Sequence, residues 1–224
     1  MIHVLEYLLY ILAALLLAAA GVLYQQAYID EKKPTEMLRQ PAAGLKAKPL
    51  LTVLFAFCYV LTAVLSLVFK SALPPLLRIE YLLLWAGLFC ISVIDIRVKK
   101  IPNQILLILF CVRAVCMAVF ILMRPEDFRG ELFPSLFGVL VGGGVMLICR
   151  LISKGGMGAG DIKLFAVLGF FLKIPDVMHV MILSIMLSAV TGLFMLIFRK
   201  AKMRSTIPMA PFILAGLTVY FIFI

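Results

Sequence analysis

An all-α, polytopic transmembrane bundle of about eight spans is the fold class this sequence predicts. Three observations predict it. Of the 224 residues, 65% are hydrophobic and 14% charged, whereas soluble domains run near ~45–50% apolar and ~25% charged. The mean hydropathy is +1.17. The apolar residues come in runs of membrane-crossing length, separated by short basic or proline-marked stretches. One membrane domain, residues 1–224, is therefore expected, with a polar loop at about 25–49 that faces the cytoplasm.

The formal charge of +10 is not gathered on one face but falls in clusters between the apolar runs. Such clusters orient membrane proteins and touch anionic headgroups, so the lipid bilayer is an expected partner and nucleic acid is not. Cys58, Cys90, Cys111, Cys116 and Cys149 all lie within apolar runs and form no C-x-x-C pair. They read as buried thiols rather than as a metal or redox site.

Residues 4–24 form the first apolar run. Its amino end carries Glu6 and neither Lys nor Arg, unlike the positive start of a secretory signal, so a retained span is expected despite the small residues Ala18-Ala19-Ala20. In the following loop Pro34, Pro41 and Pro49 break any long helix. Spans are expected next at about 50–69 and 80–95, with a turn around Pro74-Pro75, and the second ends on Asp95. Basic Arg97-Val98-Lys99-Lys100 leads to Ile101-Pro102-Asn103, where a proline at a helix start costs no hydrogen bond. The span at about 104–123 carries Arg113 near its middle. An unpaired cation there costs at least ~2.5 kcal/mol, so Arg113 is expected to face the bundle or a wet cavity.

Residues 124–134, with Arg124, Glu126, Asp127, Arg129, Glu131 and Pro134, read as an external loop. The span at about 135–152 holds Gly138, Gly142, Gly143 and Gly144, which let another helix pack closely. After the turn Gly156-Met157-Gly158-Ala159-Gly160-Asp161, the run 162–173 is too short for an ordinary span, and Lys173-Ile174-Pro175-Asp176 interrupts it before a long run at about 177–198. Two helices joined by a tight external turn are expected. A basic loop follows, and Ile207-Pro208-Met209-Ala210-Pro211 opens the last span. Ile-Pro thus marks three helix starts, at 101, 174 and 207. With the amino end outside, cytoplasmic segments hold 15 of the 21 Lys and Arg, which places Asp95 and Asp161 on the cytoplasmic side.

These two aspartates, 66 positions apart, each stand where an apolar run meets a basic loop. A bundle can bring them together as a catalytic pair. Two carboxylates a few ångströms apart share a proton, so one can deprotonate a water while the other donates to a scissile carbonyl oxygen. Peptide hydrolysis of this kind needs two acids and neither metal nor cofactor. Asp161, near a helix amino end, is favoured in its charged form, which leaves Asp95 to hold the proton. Gly158 and Gly160 permit close backbone approach and φ > 0 beside Asp161. Lys163, two residues on, does not share its face and is expected to position the loop. Three other readings compete. An aspartate at a span end can be a plain solvated charge. The glycine turn could bind phosphate, but Asp161 would repel an anion and the Walker Gly-Lys-Ser/Thr is absent. A non-enzymatic ion-coupled transporter or channel could use both carboxylates, although its acids belong near mid-bilayer.

Gly158-Ala159-Gly160-Asp161-Ile162-Lys163-Leu164 resembles the Gly-x-Gly-Asp-x-Lys-Leu motif of type IV prepilin peptidases, membrane aspartic proteases. Asp95 with Ile101-Pro102-Asn103 resembles their other catalytic segment, and Ile207-Pro208 through Pro211-Phe212 their final-span signature. The resemblance implies leader cleavage of a prepilin or related pseudopilin at the cytoplasmic face, as in type IV pilus assembly and protein secretion. Asp95 and Asp161 would be the catalytic pair, supported by Gly158, Gly160, Lys163, Pro102 and Asn103. Long members add a domain with two C-x-x-C pairs and methylate the new amino terminus. Residues 25–49 hold no cysteine, so the short form, without methyl transfer, is expected.

Overall fold

The computed structural model describes residues 16–17, 19–25, 28, 75–153, 156–198 and 207–223. The span expected at 50–69, nearly all of the loop at 25–49 and the basic loop near 200 lie outside the described residues. The described elements are helices throughout: α1 (Pro75–Val98), α2 (Asn103–Met123), a 3-10 turn (Pro125–Asp127), α3 (Phe128–Ile152), α4 (Ala159–Leu172), α5 (Asp176–Ile197) and α6 (Ala210–Phe223). This is an all-α transmembrane bundle. Four segments are long and apolar enough to cross a membrane, namely Leu77–Val98, Asn103–Met123, Pro125–Ile152 and Asp176–Ile197. Four among the described residues do not by themselves make the expected eight. The 14 residues of α4 reach about 21 Å at 1.5 Å per residue, short of a hydrocarbon core of ~30 Å.

The chain divides into two compact units, Met1–Val98 and Lys99–Ile224. In the first, residues 19–25 are helical, and Gly21 lies where a Cβ would stand 2.7 Å from Cys90 Sγ. Helix α1 begins at Pro75 instead of near 80 and continues past Asp95 to Val98. Its buried stripe, Glu80, Leu84, Leu88, Ile91 and Asp95, recurs at intervals of three and four residues, the spacing of one helix face.

In the second unit, Lys99 turns the chain with φ 54°, and α2 starts after Pro102 as its N-cap. Pro175 is likewise the N-cap of α5, though in helical rather than extended backbone, so the Ile-Pro pairs at 101 and 174 do mark helix starts. Pro208 stands just ahead of α6.

Helix α3 departs from expectation. It starts at Phe128 and carries Pro134 inside it, so most of the expected loop at 124–134 is helix. A membrane helix tolerates an internal proline where neighbouring groups satisfy the backbone it frees. Glu131, which looks like a loop residue, is held in the interior by cations from two other segments, Arg113 of α2 and Lys173 beyond α4.

Helices α3 and α4 form the tightest pair. A Cβ added at Gly138 would collide with the main-chain oxygen of Gly169, one at Gly169 with that of Gly138, and one at Gly142 with that of Phe165. The small residues expected to receive a helix therefore do so at 138 and 142, and a Cβ at Gly143 would meet Ala166 Cβ at 3.1 Å. Gly144 has nothing within 4 Å. Helix α6 packs on α5, where a Cβ at Gly216 would come within 2.6 Å of Ser184 Oγ.

Candidate active site

Asp161 occupies the first turn of α4, whose N-cap is Gly158, and is half-buried. A Cβ at Gly158 would stand 3.0 Å from Asp161 Oδ2, so the carboxylate lies back over the turn and the glycine leaves it room. The left-handed freedom expected of this glycine is not used. Gly158 has φ −67° and ψ 141°, extended backbone that any residue adopts. What the position requires is the missing side chain.

Gly160 serves close approach as well. Its Cβ would stand 2.9 Å from Ile101 Cβ, so the turn that carries Asp161 rests directly on the Ile101-Pro102 segment. One turn further along, Lys163 Nζ donates a hydrogen bond to Asn103 Oδ1 at 3.0 Å. Two segments separated by about 60 residues are thereby fastened to each other by two contacts, the close approach of Gly160 to Ile101 and the charge-assisted Lys163–Asn103 bond. Pro102, between Ile101 and Asn103, is buried. All five positions singled out beside the aspartates thus lie at or next to this junction.

Asp95 belongs to the first unit, in the last turn of α1. It is 6% exposed and continues the buried stripe of that helix, whereas its neighbours Ile96 and Arg97 are exposed. Among the described residues, no group of three His, Cys, Asp or Glu side chains is placed to hold a metal ion.

The sequence leaves the partner of Arg113 open, and the structure supplies it. Arg113, 1% exposed, donates from NH2 to Glu131 Oε1 at 2.6 Å and to Ser135 Oγ at 3.2 Å, and from Nε to the Phe170 carbonyl at 3.0 Å. Lys173 Nζ holds the other Glu131 oxygen at 2.6 Å. These residues lie far apart in sequence, and no local pattern pairs them.

The model for the type IV leader peptidase family matches residues 82–193. The chain is 32% identical over 129 residues to a prepilin leader peptidase/N-methyltransferase of Bacillus subtilis, covering 58% of this chain and 49% of that protein. It is 33% identical over 141 residues to the protein of that name from Xanthomonas campestris, covering 60% and 46%. For the one from Pseudomonas aeruginosa the figures are 31% over 133 residues, 59% and 45%. The chain thus spans about half the length of the curated relatives it matches. No solved structure matches it significantly.

Proposed function

We propose that this chain, which belongs to the type IV leader peptidase family, is a membrane aspartic endopeptidase that removes the leader of a prepilin or pseudopilin at the cytoplasmic face, with Asp95 and Asp161 as the catalytic pair. The observation that carries the pairing is the junction in the second unit. Ile101-Pro102-Asn103 follows Asp95 by only six to eight residues, and it is docked on the turn of Asp161 through Gly160 and the Lys163–Asn103 bond. A short tether from one acid ends on the turn that presents the other. Two acids sharing one proton activate water and protonate the scissile carbonyl by turns. Within one membrane domain, the weight of positive charge supports a cytoplasmic position for both at the cell membrane.

Co-expression with a prepilin from the same genome tests this. Wild type is expected to shift the substrate to its shorter form, and Asp95→Asn and Asp161→Asn are expected to leave it uncut. Undiminished cleavage by either variant removes that aspartate from the mechanism.

The junction makes a second prediction. Lys163→Met and Asn103→Ala each remove one hydrogen bond, a net loss of about 1 kcal/mol, and each should lower kcat/KM about fivefold. Combined, they should cost little more than either alone, because both remove the same bond. Additive losses in this cycle would mean the two side chains act separately.

The name of these relatives also includes N-methyltransferase. We assign this chain the peptidase step alone, since residues 25–49 carry no cysteine. Mass spectrometry of the processed substrate is expected to show an unmethylated amino terminus, and a methylated one would restore the second activity.

A further inference from the structure

The helix that presents Asp161 is too short to be set in depth by the bilayer itself. Its 14 residues give about 21 Å, and a helix shorter than the hydrocarbon core takes its depth from flanking anchors and neighbours rather than from its own length. At Gly138, Gly142 and Gly169 its contact with α3 is glycine against main chain, which sets how closely the two helices approach. Ile101 and Asn103 hold the Asp161 turn at its own end, and setting the depth of the whole helix calls for a second anchor at the other end.

The far end of α4 carries such a device. Arg113 Nε donates to the carbonyl of Phe170 at 3.0 Å, one of the last four carbonyls, which a helix end leaves without intrahelical donors. The guanidinium lies 5.7 Å from the centre of the Phe170 ring. Its NH2 and Lys173 Nζ grip the two oxygens of Glu131, each at 2.6 Å. Lys173 is the residue that ends α4, and it does so with φ 63° and ψ −173°. That conformation suits glycine and costs a side-chain-bearing residue on the order of 1–3 kcal/mol. A lysine stands there against its backbone preference, with its ammonium on Glu131.

We infer that Arg113, Glu131 and Lys173 are positioning residues: an ion-pair clamp on the C-terminal end of α4 that sets the depth of Asp161 at the other end. The inference rests on the proposed role of Asp161 for its effect on catalysis, but not for its effect on position. Lys173→Gly separates a clamp from ordinary packing. Glycine fits the backbone and removes the charge, so a lysine that merely terminates the helix should be replaced without loss or with a gain.

The test uses the full chain in proteoliposomes. Lys173→Gly should keep the Tm of wild type or raise it, yet lower kcat about tenfold with KM within about twofold, since a misplacement near 1 Å carries losses of that order or more. Lys173→Arg, which keeps the charge, should restore kcat to within about threefold. An independent readout needs no substrate. Met157→Cys, placed in the turn before Asp161, is labelled with a membrane-impermeant maleimide, and adding Lys173→Gly or Glu131→Gln should change the labelling rate at least about threefold. Unchanged labelling and unchanged kcat in Lys173→Gly overturn the clamp, as does a kcat loss that merely follows a fall in Tm. If wild type cleaves nothing while labelling still shifts, the clamp stands and the peptidase assignment fails.

Discussion

Asp161→Asn and Asp95→Asn should each depress leader cleavage by about a thousandfold or more, and the double replacement should be hardly worse than either single one. Groups that act as a unit lose nearly everything when one member goes. Asparagine keeps the size of the side chain and cannot carry the shuttled proton, so the loss should fall on kcat while substrate binding survives. The pH dependence gives the sharper signature. A pair working with one shared proton is inactive when both carboxyls are protonated and again when both are ionised, so wild-type kcat should trace a bell whose two limbs belong to the pair. Any residual activity in a single variant should lose that shape. A bell that persists unchanged in Asp95→Asn would assign the titration to other groups.

The same variants separate the peptidase from an ion-coupled transporter. Carboxylates on an ion path are expected near mid-bilayer, between broken helices. Asp95 lies in the last turn of α1 and Asp161 in the first turn of α4, both at helix ends rather than within a helix. Membership of the leader peptidase family points the same way.

How much of this was legible in the sequence depended on whether the signal was local. Apolar runs and Ile-Pro pairs located the described helices, because both act within one or two turns. Gly158 and Gly160 were legible as positions needing glycine, but for a partly different reason: their missing Cβ atoms make room for a carboxylate and for Ile101. Glu131 was misread as a loop residue because charge and Pro134 normally mark a loop. The cations that hold it inside a helix lie 18 and 42 positions away. Gly138 and Gly142 announced a close helix contact, whereas nothing in the sequence named Gly169 and Phe165 as the other surface. Long-range pairing of this sort is decided by packing, which leaves no periodic trace.

That contact carries the other large expected effect. Gly138→Val and Gly169→Val should each cost about 3 kcal/mol or more, near the upper end of what overpacking costs. The added Cβ would fall on a main-chain oxygen of the facing helix. A flexible side chain could swing aside, but a carbonyl within a helix cannot move without moving the helix. The result should appear as a Tm lowered by many degrees in detergent, or as failure to accumulate. Gly144→Val supplies the control within the same glycine run, since nothing lies within 4 Å of its added Cβ and its effect should stay within about 0.5 kcal/mol. Equal damage at 144 and 138 would mean the run is needed for helix flexibility and not for the α3–α4 contact. Unequal damage, with activity falling alongside stability at 138 and 169, ties the glycines to the placement of α4, and through α4 to the turn on which Asp161 stands.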